Sequence, residues 1–121
     1  MAIQVNEDYF DPYTAGRQKA HELVSSAGLF ARDGAMQSGD LEDVHWHATS
    51  LQIYVLQGEF ETRDVVAGTT LMAGPGARIS IPARTLHAAR CPQPAVYVVG
   101  FESETAAAEF RPEPPEALQR Q

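Results

Sequence analysis

The 121-residue sequence contains a single cysteine, Cys91, and no long run of apolar residues. An internal disulfide is therefore excluded, and so is a metal site built from several thiolates. No apolar stretch approaches the ~20 residues that a membrane-spanning helix needs, and the N-terminus has neither the basic start nor the apolar core of a signal peptide. These absences predict a soluble, cytoplasmic protein without a membrane partner.

Basic residues are also scarce. Nine lysines and arginines stand against sixteen aspartates and glutamates, which gives a formal net charge of -7 at pH 7. The electrostatic field of a negatively charged protein repels nucleic acid and anionic lipid. The sequence has no Ser-His-Asp order, no phosphate-binding glycine loop and no alternation of basic with aromatic residues. Nucleophilic hydrolysis, nucleotide use and nucleic-acid binding are therefore disfavoured.

The sequence does contain one helical segment, followed by many short segments typical of β-strands. Residues 11–27 place Ala20 and Val24 on one helical face, with Thr14 as a candidate cap and Gly28 as the stop. From Leu29 onward, short apolar segments alternate with glycine, proline and aspartate, a pattern typical of a sandwich or barrel. We therefore expect an all-β fold with a short N-terminal helix.

The expected organisation is one domain in three parts. Residues 1–28 form a helical extension that packs on the barrel, residues 29–103 form the barrel, and residues 104–121 form a C-terminal tail with an alanine-rich turn or short helix. Two segments, residues 51–56 and 96–101, are apolar on both alternating faces. The sheet is therefore expected to close on itself, with its outer face covered by the helix or by a second subunit.

Three of the four histidines are candidates for a metal site. Side chains alternate along a strand, so His45 and His47 project from the same side and Trp46 points away. His87 follows a strand that ends at Pro82, after a short turn. Residues 40 apart can meet inside a closed barrel, and three imidazoles supply the ligands that a metal ion with open positions needs.

The spacing of these residues resembles the two motifs of the cupin superfamily. The first motif is a glycine, five residues, His-x-His, three or four residues, a glutamate, six residues and a glycine. The matching residues are Gly39, His45, His47 and Gly58. In the second motif Gly76, Pro82 and His87 match, whereas Arg84 replaces a glycine and Cys91 an asparagine. The resemblance implies a cupin-type jelly-roll β-barrel.

The glutamate of the first motif is missing, because Leu51 stands at its position. Gln52 is a candidate fourth ligand through its amide oxygen, but alternation turns it away from the face of Leu51, so only a bulge could bring it inward. Without the carboxylate, a divalent ion keeps its full positive charge in a low-dielectric barrel. The expected partner is therefore a small molecule with an anionic or chelating end.

The resemblance implies a divalent ion, which can be Fe, Zn, Ni, Cu or Mn, held by His45, His47 and His87. The alternation of the strands also predicts the apolar wall of a pocket, with Cys91 as a small buried thiol. The predicted pocket residues are Leu51, Ile53, Val55, Ile79, Ile81 and Cys91.

Several functional hypotheses stay open at the level of the sequence. Cupins with three histidines and no glutamate include iron dioxygenases, so an O2-dependent dioxygenase acting on a small chelating substrate is one hypothesis. The alternatives are a non-enzymatic cupin that binds or senses a small ligand, and a metal-dependent isomerase. A homodimer is expected in each case, because two strands are apolar on both faces and because cupins commonly form homodimers.

Overall fold

The protein is described here by a computed structural model that covers residues 2–118. Residue 1 of the predicted extension and residues 119–121 of the predicted tail lie outside the described residues. In chain order the elements are β1 (Gln4–Asn6), α1 (Gly16–Ser26), β2 (Phe30–Met36), β3 (Leu41–His45), β4 (Leu51–Asp64), β5 (Thr69–Ala73), β6 (Arg78–Ile81), β7 (His87–Phe101), α2 (Glu104–Ala108) and α3 (Pro115–Leu118). Among these residues, no helix has the length and apolar character to cross a membrane.

Two long strands, β4 and β7, connect the two layers of the barrel. The first half of β4 and the second half of β7 lie in a sheet ordered β1-β6-β4-β7-β2, and their other halves pair with β5 and β3. All pairs among the described strands are antiparallel. This arrangement confirms the predicted all-β barrel of jelly-roll type with a short N-terminal helix.

The change from one layer to the other depends on Gly58. The pairing of β4 with β7 shifts register on both sides of this residue, whose φ is 83°. A Cβ atom at this position would lie 2.0 Å from the carbonyl oxygen of Pro94. Glycine is therefore required where the two long strands cross closely.

The apolar residues form two clusters, one inside the barrel and one outside it. The inner cluster contains Leu51, Ile53 and Val55, whereas Tyr54 packs in the outer cluster, as their alternation in β4 predicts. Helix α1 covers the outer cluster with Ala20 and Val24, which are fully buried. The helix is therefore a cover of this face, which is one of the two covers that the sequence predicts.

Helix α1 begins later than the sequence predicts. Its first residue is Gly16, and the N-cap is Ala15, in a left-handed conformation and without a side-chain cap. Thr14 is therefore not the cap. The backbone N–H of Tyr13 donates to Oδ1 of Asp11 at 2.8 Å, and this local turn competes with helix formation over the first residues of the predicted segment.

The C-terminal residues fold back across one end of the barrel. Residues 109–114, which we call the C-terminal strap, lie between α2 and α3. Trp46 and Glu113 form an antiparallel bridge with N···O distances of 3.2 and 2.8 Å, and the indole Nε1 of Trp46 donates to the carbonyl oxygen of Pro114 at 2.8 Å. The strap is therefore attached to the segment that carries His45 and His47.

Candidate metal centre

The barrel brings His45, His47 and His87 together. His45 is the last residue of β3, and its backbone partner across the sheet is His87, the first residue of β7. The three ring centroids are 4.3 to 4.9 Å apart, and the ligand nitrogens that the three rings offer lie within 4.8 Å of one another. All three side chains are buried. Since metal–imidazole bonds are about 2.0–2.1 Å long, small ring rotations allow one ion to reach all three nitrogens.

Backbone carbonyls define the tautomers of two of the histidines. Nδ1 of His45 lies 2.5 Å from the carbonyl oxygen of Asp43, and Nδ1 of His87 lies 2.7 Å from that of Thr85. A carbonyl can only accept a hydrogen bond, so each Nδ1 carries the proton and donates it. Each Nε2 therefore keeps the lone pair that a metal ion requires.

Two ring nitrogens of the site have no hydrogen-bond partner among the described residues, Nε2 of His45 and Nδ1 of His47, and both are buried. A buried polar atom without a partner costs roughly 1–3 kcal/mol. Coordination of a cation would satisfy such a nitrogen, whereas nearby apolar side chains cannot. The donor set therefore fits a metal ion.

Burial also holds the imidazoles in the form that binds metals. It lowers the pKa of His47 to about 3, and the neighbouring His87 and His45 act in the same direction. Burial lowers the pKa of His87 as well, although the hydrogen bond to the carbonyl of Thr85 opposes it. Both rings are therefore neutral at pH 7, with lone pairs free for coordination.

A cavity of about 90 Å³ lies beside His47 and His87. Of the predicted pocket residues, Leu51, Ile53 and Ile81 line this cavity. The others, Val55, Ile79 and Cys91, belong to the inner apolar cluster away from the cavity. This volume is small beside the roughly 300–1,000 Å³ of pockets for drug-sized ligands, so the cavity favours a small ligand.

Gln52 does not join the histidines. Its Oε1 accepts a hydrogen bond from Oγ of Ser80 at 2.7 Å, in a surface depression on the outer side of β4. The register of β4 against β6 runs without a shift from Leu51 to Tyr54, so no bulge turns Gln52 inward. In this structure Gln52 therefore lies away from the histidines, and Leu51 occupies the inward position with an apolar side chain.

Glu42 is a residue of the site that the sequence pattern misses. Its backbone partner is Ala89 and that of His45 is His87, so three steps along β3 match two steps along β7. This bulge places Glu42 and His45 on the same face, and Glu42 lines the cavity with Tyr97. Burial raises the pKa of Tyr97 to about 12, and the charge of Glu42 adds to the shift. Strict alternation assigns Glu42 to the face opposite that of His45, and no signal in the sequence predicts the bulge.

Phe110 is the second residue that the sequence pattern misses. Its ring centroid lies 4.6 Å from that of His47 and 5.2 Å from that of Phe101. The sequence assigns this segment only to a C-terminal tail, and the pairing of the strap with Trp46 brings Phe110 to the cavity.

The chain matches no protein-family model and no curated protein. Solved structures do match. An RmlC-like cupin from Shewanella frigidimarina is 28% identical, with a TM-score of 0.53 over 60% of this chain and 64% of that one.

Two enzymes resemble the chain in fold. A DMSP lyase from Ruegeria pomeroyi is 24% identical, with a TM-score of 0.57 over 68% of this chain and 40% of that one. A salicylate 1,2-dioxygenase mutant from Pseudoaminobacter salicylatoxidans is 11% identical, with a TM-score of 0.56 over 69% of this chain and 24% of that one. The matches span less than two thirds of the length of each of the three proteins. Together with the jelly-roll barrel and the motif spacing of the three clustered histidines, these likenesses show that the chain has a cupin-type fold.

Proposed function

We propose that the protein binds one divalent metal ion through His45, His47 and His87 and acts on a small chelating molecule as an O2-dependent dioxygenase. The observation that carries the proposal is the convergence of three buried imidazoles that leave buried ring nitrogens without hydrogen-bond partners. The fold shared with a salicylate dioxygenase is consistent with this class of chemistry but does not identify the substrate.

The bound ion would supply Lewis acidity and, as Fe²⁺, reactivity toward O2. The protein residues hold the ligand nitrogens and shape their surroundings. The carbonyls of Asp43 and Thr85 orient two of the rings through their Nδ1 protons. Leu51, with Ile53, makes the wall beside the rings apolar, which excludes water and limits ligands to those that coordinate directly.

The dimensions of the cavity support a small substrate. Pockets for drug-sized ligands occupy about 300–1,000 Å³, whereas the cavity beside His47 has about 90 Å³. The lining of this cavity is mainly apolar, so we expect ligands that bind the ion through one or two donor atoms and have small apolar remainders. The favoured class comprises small thiols, β-diketones and hydroxy acids.

A non-enzymatic role is the second candidate, and the lining of the cavity supports it. Apart from the histidines, the polar side chains that line it within residues 2–118 are Glu42 and Tyr97. Because burial raises the pKa of Tyr97 to about 12, its hydroxyl is a weak acid at neutral pH. A cavity with few acid–base groups suits ligand capture or sensing as well as a reaction that depends on the metal.

The metal site is tested by elemental analysis of purified protein. We expect about one ion per chain in the wild type and close to none after His47→Ala or His87→Ala, because each loses one of three ligands. His21→Ala is the matched control, since His21 is exposed and pairs with Asp33 at 2.8 Å. Equal metal content in all four proteins would refute the ligand assignment.

The type of function is tested by O2 consumption. Fe²⁺-loaded protein is mixed with small thiols, β-diketones and hydroxy acids, and the wild type is compared with His47→Ala. Substrate-dependent O2 uptake that the variant loses supports a dioxygenase. Thermal stabilisation of metal-free protein by one of these compounds, without O2 uptake in the loaded protein, favours the binding role.

We further propose a homodimer, as the sequence predicts. The exposed apolar side chains Leu41 of β3 and Met72 of β5 support it, because both lie on the layer that α1 does not cover. Sedimentation is expected to find a species of twice the 13.2 kDa mass of the chain, and a species of chain mass alone would refute the dimer.

A further inference from the structure

Phe110 separates two spaces at the end of the barrel. The inner space is the cavity of about 90 Å³ beside the histidines, and the outer one is a depression of about 500 Å³ under the C-terminal strap. His47 and Phe110 are the residues that line both spaces. His47 is a candidate metal ligand. Phe110 is therefore the residue between the two spaces whose side chain can be made smaller without removing a metal ligand.

The ring of Phe110 packs on the inner side and is partly open on the outer side. Its centroid lies 4.6 Å from the ring of His47 and 5.2 Å from that of Phe101, which it meets at 67°. The residue keeps 37% of its surface exposed, toward the outer depression. An aromatic ring in this position lies between the depression and the inner cavity.

The strap holds the ring in place from both sides. Before Phe110, its backbone N–H donates to the carbonyl of Ala107 at 3.3 Å, at the end of helix α2, which Ser103 caps. After Phe110, Glu113 pairs with Trp46 through two backbone hydrogen bonds. These backbone hydrogen bonds on both sides hold the segment that carries Phe110 against the end of the barrel.

We propose that Phe110 is the specificity-determining residue of the site and limits the ligands that reach the histidines to those that fit the inner cavity. This inference rests on the proposed function, because it assigns a size limit to the same metal centre. Removal of the ring joins the inner cavity to the outer depression. The combined space falls within the range of pockets that accept larger organic ligands.

The test compares two ligands that share one chelating group and differ in bulk, acetohydroxamate and benzohydroxamate. Protein loaded with Co²⁺ is titrated with each, and the visible absorption of the ion reports binding. We expect the wild type to prefer acetohydroxamate by roughly tenfold or more, as steric exclusion from a pocket typically yields. Phe110→Ala should raise the affinity for benzohydroxamate by about tenfold and change that for acetohydroxamate by less than about threefold.

Tyr13→Ala is the matched control, because Tyr13 is an aromatic residue that is 82% exposed and lies beside α1, away from the site. It should retain the wild-type preference. Phe110→Leu, a smaller apolar change, should give an intermediate preference and serves if Phe110→Ala does not fold. If a folded Phe110 variant binds Co²⁺ and keeps the wild-type preference for acetohydroxamate over benzohydroxamate, the inference is overturned.

A second measurement keeps the inference testable without any metal. Diethyl pyrocarbonate modifies accessible imidazoles, and peptide mass analysis of metal-free protein separates His47 from the exposed His21. Phe110→Ala should increase the modification rate of His47 several-fold relative to that of His21. An unchanged ratio would overturn the role of Phe110 as a barrier. Failure of the wild type to bind Co²⁺ would instead overturn the proposed metal function.

Discussion

His45 and His87 face each other as backbone partners between β3 and β7, and their ring centroids are 4.3 Å apart. Each ring directs Nδ1 to the carbonyl oxygen of the residue two positions before it in the chain. The sheet sets the distance between the rings, and the local carbonyl sets the direction of each lone pair. The two nitrogens are therefore oriented before an ion binds, which lowers the cost of ordering the ligands.

Acid should destabilise the metal-free protein through His47. Burial holds the pKa of this residue at about 3 in the folded state, against an ordinary value of 6.5 in the unfolded chain. Between these values the unfolded chain binds a proton that the folded protein excludes, so the free energy of unfolding falls as the pH falls. The expected slope is about 1.4 kcal/mol per pH unit for one such histidine.

Urea unfolding of metal-free protein at pH 7.5, 6.5, 5.5 and 4.5 measures this effect. His47→Gln has no group to titrate at this position, so its free energy of unfolding should depend less steeply on pH below 6.5. The pKa of His87 is also lowered, so a smaller slope of the same sign should remain. Parallel curves for the wild type and His47→Gln would contradict the prediction.

Asp64 should be one of the most important polar residues for stability. Its side chain is buried and accepts hydrogen bonds from the backbone N–H groups of Ile3 and Ala67 at 2.9 and 3.0 Å. Asp64→Ala leaves both donors without this acceptor and should cost about 3 kcal/mol of unfolding free energy. The exposed Asp33, which pairs with Arg17, is the control, and Asp33→Ala should cost less than about 1 kcal/mol. Equal losses in the two variants would refute this role.

The contribution of Asp64 to the free energy of unfolding should depend on pH. Burial alone would raise the pKa of Asp64, but the backbone hydrogen bonds from Ile3, Ala67 and Val66 outweigh it and lower the pKa below 3.8. A carboxyl with a lowered pKa stabilises the fold fully above its unfolded pKa, and this stabilisation is lost as the pH falls through the folded value. Asp64→Ala should therefore lose less stability than the wild type on acidification below pH 4, as chemical unfolding can measure.

Arg84 should store backbone strain at a position where the cupin motif has glycine. Its φ is 61°, in the left-handed region, and its guanidinium lies 5.5 Å from the ring centroid of Trp46. Arg84→Ala and Arg84→Gly both remove the guanidinium, but only alanine keeps the Cβ that disfavours this conformation. The glycine variant should be more stable than the alanine variant by about 1 kcal/mol, as thermal or urea unfolding can measure.

The control for this comparison is Arg63, an exposed residue inside β4. In a strand interior glycine is the less stable choice, by roughly 0.5–1 kcal/mol relative to alanine. The order of the two variants should therefore reverse between positions 84 and 63. The same order at both positions would show that the strain at Arg84 does not matter.

Glu42 should weaken the binding of anions to the loaded site. Its carboxylate lines the cavity with His47 and His87, so it repels a negative ligand at short range. Glu42→Gln should bind azide to the Co²⁺-loaded protein more tightly, by roughly fivefold at low salt, with a smaller gain at high salt. Glu22→Gln, on the exposed face of α1, should leave azide affinity unchanged. Unaltered affinity in Glu42→Gln would refute an electrostatic role for this residue.

The sequence predicts the centre of the site well because the signals involved are local. The period of a strand predicts that His45 and His47 share one side and that Leu51 and Ile53 of β4 share an inward face, and the motif spacing adds His87. These inferences need only a strand period of two and a closed barrel. The same reasoning assigned Gln52 to the outer face without a bulge, which is where it lies.

The sequence alone therefore determined which strands are apolar, which histidines share a face and that the barrel closes. Only the tertiary structure decided that Glu42, an exposed residue, lines the cavity and that Phe110 packs against His47. The bulge before His45 arises from pairing with β7, and the position of Phe110 depends on contacts such as that of Trp46 with Pro114, 68 residues apart. Pairings over such distances depend on the packing of the whole barrel, and a pattern within one segment does not contain them.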